Sequence, residues 1–115
     1  MLNQIISKML YYIGNSNSFE KIIKQKFVIC LFTARWCRSC QIVKPSFIEL
    51  GNKNPDVNFG IVDIDDFKSI SEEYTITRLP TFIVFKEGKV VTRFSESNGI
   101  QLKQIVKNTI DLFNK

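Results

Sequence analysis

The chain contains no histidine, and its three cysteines are an odd number. An odd count argues against a secreted framework of paired disulfides. A tetrahedral zinc site takes four ligands, and a single Cys-x-x-Cys supplies two of them. With no histidine, and with Cys30 inside an apolar run, one chain does not complete such a site, so no metal is expected. No apolar run approaches the length of a membrane-spanning helix, and no membrane partner is expected. The N-terminal stretch MLNQIISKMLYYI is interrupted by Asn, Gln, Ser and Lys and has no small-residue cleavage site. It reads poorly as a signal peptide, and the expectation is a cytoplasmic protein unless a targeting segment has been removed. Basic residues outnumber acidic ones 16 to 11, for a net charge of +5, yet they are scattered and form no dense run or nucleic-acid motif. A solvated, mildly basic surface follows, with no nucleic-acid partner. There is no internal repeat and no sign of a second domain, and 115 residues suffice for one domain with a full core.

Against these absences stands one stretch, Phe27 to Cys40, FVICLFTARWCRSC. It opens with an apolar run, Phe27 to Phe32, rich in Val, Ile and Phe, which reads as a buried strand. A short polar turn leads to Trp36-Cys37-Arg38-Ser39-Cys40, after which Ile42, Val43, Phe47 and Leu50 recur at helical spacing. Two thiols therefore sit where a strand passes into a helix, with Cys37 at or just before the helix N-terminus. Free backbone N–H groups and the positive end of the helix dipole favour a thiolate there. Cys40 lies one turn behind, within reach of a disulfide. Cys30 alternates with apolar neighbours and reads as an inert core thiol.

Along the rest of the chain, Leu2 to Ile13 carries a helical stripe, while Leu10 to Ile13 also suits a short strand. The expectation is a helix or irregular arm over 1–9, as an N-terminal extension, followed by that strand. Asn17 and Glu20 have capping-box spacing and predict a helix with Phe19, Ile22 and Ile23 inward. The helix after Cys37 is expected over Arg38 to Leu50 with Pro45 inside it, followed by a loop from Gly51 to Asp56. Val57 to Ile64 predicts a strand, Phe67 to Tyr74 a short helix, and Thr81 to Phe85 a strand. A turn over Lys86 to Lys89 joins that strand to its hairpin partner, Val90 to Phe94. Beyond Asn98, Leu102, Ile105, Val106, Thr109, Ile110 and Phe113 line one face of a last helix. This order predicts an α/β fold, a mixed sheet with helices on both faces. Asp63, Asp65 and Asp66 lack the spacing of a cation loop and read as strand-end and helix-cap residues.

The chain resembles the thioredoxin family. Phe32, Ala34, Trp36, Cys37 and Cys40 match its active-site stretch in type and spacing, and Pro45 stands where that family kinks its helix. Asp63 to Asp66 match the end of its central strand, Leu79-Pro80-Thr81 its cis-proline loop, and Phe85 to Gly88 its turn. Trp-Cys-x-x-Cys after a buried strand, with a proline about forty residues on, is a specific combination. The resemblance covers Tyr11 to Lys115. It implies the thioredoxin fold and thiol–disulfide exchange on protein substrates. Cys37 would be the nucleophile and Cys40 the resolving thiol, with no bound cofactor. An NADPH-dependent thioredoxin reductase or glutathione would supply electrons, and the protein would act as a monomer. Pro80 would be cis and leave the Thr81 backbone open to an extended substrate; Trp36, Leu79 and Pro80 would form an apolar docking rim.

Three departures from the family pattern carry expectations of their own. Arg38-Ser39 replaces the usual Gly-Pro between the cysteines, and a cation there favours the thiolate and hence the reduced form. Leu31 replaces a buried acid, and Ile61 a lysine found opposite it in some members, which removes an internal base for Cys40. Thr92 and Glu96 replace glycines near the substrate groove and would narrow the range of partners. Leu31, Thr92, Glu96 and the extra N-terminal arm would also suit a thioredoxin-like adaptor dedicated to one partner.

Overall fold

The computed structural model describes residues 10–14 and 16–114. The extension expected over residues 1–9 lies outside the described residues. The elements are β1 (Leu10–Tyr12), α1 (Ser16–Ile23), β2 (Val28–Thr33), α2 (Arg38–Lys53), β3 (Asn58–Asp63), α3 (Lys68–Glu73), β4 (Thr81–Lys86), β5 (Lys89–Phe94) and α4 (Gly99–Phe113). The strands form one mixed sheet in the order β1-β3-β2-β4-β5. β1, β3 and β2 are parallel, and β4 and β5 are antiparallel additions.

Why the central strands are continuous apolar runs is visible in their packing. Side chains alternate across a strand, and both faces of this sheet are covered, so neither set can be polar. Ile29 and Leu31 of β2, with Phe59 and Ile61 of β3 and Phe82 and Val84 of β4, pack under Val43, Phe47 and Leu50 of α2 and Leu102 and Val106 of α4. Their neighbours Val28, Cys30, Phe32, Val62, Ile83 and Phe85 point the other way, against Phe19 and Ile23 of α1 and Ile70 of α3. Every residue of β2 is buried, which fixes the strand that delivers the cysteines as the most enclosed part of the fold.

The long helix differs from expectation at its end. α2 continues through Gly51 to Lys53 and stops at Asn54, whose Nδ2 donates to the Leu50 carbonyl at 2.7 Å. The stop signal is Asn54 followed by Pro55, because a residue before proline is driven out of helical conformation. Gly51 is buried within the helix. Pro45 stands inside α2 and leaves the Gln41 carbonyl without its intrahelical donor. Asn17 also differs: α1 begins at Ser16, so Asn17 lies within the helix and is not its cap. The Asn-x-x-Glu spacing fits two positions on one helical face as well as it fits a capping box.

The β4–β5 turn is two residues, Glu87 (φ 51°) and Gly88 (φ 87°), both left-handed. That is the geometry that matches the twist of the flanking strands, and the Gly88 N–H is anchored on the Ile23 carbonyl at 2.8 Å. Asn98 caps α4, accepting the N–H groups of Ile100 and Gln101 at 2.9 and 3.1 Å. Lys103 of α4 reaches Glu49 of α2 at 2.9 Å; its hydrogen bond and charge, with those of Lys53, hold the Glu49 carboxyl below its ordinary pKa. The frame that carries the cysteines is thus clasped from the α4 side.

Candidate active site

β2 ends at Thr33, the chain turns through Ala34 to Trp36, and α2 begins at Arg38. Cys37 is the N-cap of α2 with extended backbone (φ −88°, ψ 106°), and its N–H donates to the Ala34 carbonyl at 3.1 Å. Its Sγ accepts the Cys40 N–H at 3.3 Å. Sulfur at this position receives one of the free N–H donors of the helix's first turn, and a thiolate there would gain more from it than a thiol. Ser39 Oγ stands 3.4 Å from the same sulfur. Cys37 and Cys40 form a disulfide, with Cα atoms 5.3 Å apart. Exposure divides the pair: Cys37 retains 7% of its surface and Cys40 none. An external disulfide can therefore meet Cys37, while Cys40 is reached only through it.

The expected cis bond is present between Leu79 and Pro80. Leu79, half-buried, packs with Ile64 against Ala34 and the two cysteines, which brings the cis-proline loop directly onto the disulfide. Pro80 itself is buried, so of the three residues expected on the apolar rim only Trp36, 69% exposed, and Leu79 present surface. Thr81 is buried, and its hydroxyl donates to the Arg78 carbonyl. Arg38 is exposed at the first position of α2. Arg35 lies 3.6 Å from both Asp63 and Asp66, so its charge is partly balanced there. Asp63 also accepts the Asp65 N–H at 2.8 Å, in keeping with a strand-end role. Among the described residues no cluster of acids and cysteines could hold a metal ion.

Leu31 and Ile61 face each other in the β2–β3 register, both buried, where the family pattern expected polar groups. Glu96 is half-buried, and its carboxylate accepts the Asn98 N–H at 3.1 Å. Thr92 is exposed opposite Val84, three positions along β4 from Thr81. At about 3.3 Å per residue that puts it about 10 Å from the cis-proline end, so its bulk does not narrow the groove beside Pro80.

Three residues that matter here were missed from the sequence: Ile64 against the disulfide, Gln41 whose Nε2 holds the Ala34 carbonyl at 3.0 Å, and Ser95 whose hydroxyl donates to the Pro80 carbonyl. Gln41 was discoverable as a polar residue in the first turn after Cys40. Ser95 was not, because only strand pairing brings it to Pro80.

Cys30 is fully buried, and burial pushes its thiol up to about 12. In the reduced protein, iodoacetamide under native conditions should therefore modify Cys37 and leave Cys30 untouched until unfolding; mass spectrometry of the labelled peptides checks this. The same shift makes stability pH-dependent. The folded state holds the Cys30 proton more tightly than the unfolded state, so the contribution is complete below pH 9 and is lost as pH rises toward about 12. Urea midpoints across that window should fall less steeply for Cys30→Ala than for the parent.

The residues from 11 to 110 match the family model described as Thioredoxin. The chain belongs to the thioredoxin family. It is 34% identical over 105 residues to the thioredoxin of Gallus gallus, spanning 89% of this chain and 100% of that one. The thioredoxin of Equus caballus is likewise 34% identical, over 110 residues covering 96% of this chain and 100% of its own. Among solved structures, the thioredoxin of Plasmodium falciparum superposes with a TM-score of 0.81 at 31% identity, over 85% of this chain and 97% of that one. Mitochondrial thioredoxin 3 of Saccharomyces cerevisiae gives 0.76 at 29% identity, over 86% and 94%. The fold is the thioredoxin fold, and with its Cys-x-x-Cys pair joined at the head of α2 the protein is a thiol–disulfide oxidoreductase.

Proposed function

We propose that Cys37 is the attacking sulfur and Cys40 the resolving one, acting on disulfides of other proteins. The observation that carries this is the difference in access at a helix N-cap: Cys37 is the partly exposed sulfur and Cys40 is enclosed. The Cys37 thiolate attacks one sulfur of a substrate disulfide, that bond breaks, and the departing thiolate takes a proton. Cys40 then attacks Cys37 Sγ, releasing the second substrate thiol and leaving Cys37–Cys40 oxidised. Two electrons pass to the substrate. Re-reduction is assigned to an NADPH-dependent thioredoxin reductase, with glutathione as the other donor class, and the working compartment to the cytoplasm, where thiols are kept reduced. Trp36, Arg38, Ser39 and Leu79 make up the substrate-binding surface, with the buried Pro80 and Thr81 contributing through the backbone of the cis-proline loop, and all 115 residues act as one domain, with 1–9 as an extension.

Insulin reduction by dithiothreitol tests the reading: the protein should accelerate precipitation of the freed insulin chain well beyond the reductant alone. No acceleration, with Cys37 still alkylating, would instead favour the adaptor dedicated to one partner.

Arg38 sets a further expectation. Arg35 is engaged by Asp63 and Asp66, which leaves Arg38 as the cation acting on Cys37. Stabilising the thiolate stabilises the reduced form, so the couple should be more oxidising than that of a Gly-Pro thioredoxin. Arg38→Gly should make the potential more negative by about 5–20 mV, the scale of one exposed charge at a helix terminus. Equilibration against glutathione buffers measures it, and an unchanged potential rejects the role.

A further inference from the structure

Beside the cis-proline loop lies a cleft of about 260 Å³ that the exchange chemistry does not use. Its walls are Thr75, Thr77, Arg78 and Thr81 on one side and Arg93 and Ser95 on the other, and no acidic residue lines it. Among the described residues neither guanidinium has a carboxylate partner. Glu96, three residues beyond Arg93, accepts the Asn98 N–H, and Glu72 and Glu73, the acids nearest Arg78 in sequence, do not line the cleft. Two arginines converging on one concavity repel each other, and that repulsion is relieved by an anion placed between them.

The cleft is also built into the substrate end of the molecule. Arg78 directly precedes Leu79, which packs on the cysteines, and its carbonyl holds the Thr81 hydroxyl. Ser95 is tied to the Pro80 carbonyl, and the Arg93 guanidinium donates one N–H through its Nη2 to the Tyr74 carbonyl, which holds its tip against the end of α3. Thr81 and Ser95 spend their hydroxyl protons on backbone carbonyls, so the donors left for a ligand are the Arg78 guanidinium, the remaining N–H groups of Arg93 and the hydroxyls of Thr75 and Thr77.

We propose that this cleft is a specificity subsite that takes an Asp or Glu side chain of the substrate polypeptide, close in sequence to the cysteine being attacked. The inference rests on the reading of Cys37 as nucleophile. Arg78 is one residue from Leu79, and an extended chain advances about 3.3 Å per residue, so the acid belongs within about three residues of the substrate cysteine. An acid on the substrate would thus be selected from the β5 side of the dithiol, and repelled on the β3 side where Asp63, Asp65 and Asp66 lie.

The test uses short peptides with one cysteine activated as a 2-thiopyridyl disulfide, a neutral leaving group whose release is followed by absorbance. Glu is placed in turn at each of the three positions on either side of the cysteine, with Gln as the matched control. Single-turnover rates of the reduced protein against peptide concentration give a half-saturation concentration and a limiting rate. At one or more positions Glu should lower the half-saturation concentration about 3- to 10-fold relative to Gln, the scale of one or two exposed charge-assisted pairs. The Glu-to-Gln ratio should fade at high salt and collapse toward unity in Arg78→Gln and in Arg78→Gln/Arg93→Gln. The single variant removes a guanidinium that holds nothing else among the described residues. Equal values for Glu and Gln at every position, or a preference that survives both variants, overturns the subsite. Failure of Gln and Glu peptides alike to release thiopyridone overturns the nucleophile assignment instead.

Discussion

Cys37→Ser is expected to reduce insulin turnover to the rate of dithiothreitol alone, whereas reduced Cys40→Ser, freed of added reductant, should react once with a protein disulfide and then stop. The difference follows from the order of events that exposure imposes. Without Cys37 the remaining thiol, Cys40, is fully buried and cannot meet a protein disulfide. Without Cys40 the attack still occurs, but no internal sulfur breaks the mixed disulfide, and the protein accumulates covalently joined to its substrate. Nonreducing electrophoresis after mixing with an oxidised protein substrate distinguishes the two: a higher-mass band for Cys40→Ser, none for Cys37→Ser. A band with Cys37→Ser would reverse the roles. Folding should survive both substitutions, since the two sulfurs belong to a small separate cluster with Ala34 while the large clusters on either face of the sheet contain neither.

The sequence carried the position of this pair further than it carried its surroundings. A continuous apolar run from Phe27 to Phe32 has one economical explanation, a strand covered on both faces, and the helix that follows it must start near Cys37 because the apolar spacing changes there. The cis state of Pro80 was legible only through family resemblance, as an X-Pro bond carries no local mark of its isomer. The partners of Arg35 and the tie from Ser95 to Pro80 were not legible, because each joins residues brought together by the β2–β3 or β4–β5 alignment. The end of α2 was misplaced for a local reason: glycine suggests a stop, but at position 51 it is packed inside, and the asparagine before Pro55 ends the helix.

Leu31→Asp is the substitution in which fold and chemistry pull in opposite directions. Leu31 has no exposed surface and packs in the cluster that includes Val43, one turn along α2 from Cys40. Exchanging it for Asp removes a buried side chain and places a carboxyl among hydrocarbons, with Ile61 and not a cation opposite. The loss should be about 3–5 kcal/mol at neutral pH, a large share of a small domain's stability. Burial raises the carboxyl's folded pKa above its unfolded value of about 3.9, so the unfolded state ionises first and the penalty grows as pH rises through the interval between the two values. Urea midpoints for this variant should therefore be closest to the parent in mild acid and fall toward neutrality. The chemical effect runs the other way. A carboxylate at position 31 would offer an internal base for the Cys40 proton, and resolution of a preformed mixed disulfide should quicken by up to about 100-fold near neutral pH. Leu31→Asn separates the two effects, because it carries a similar packing defect without a base. Acceleration in the Asp variant alone would establish that the apolar Leu31–Ile61 pair limits turnover in this protein; an unchanged resolution rate would show that Cys40 loses its proton by another route.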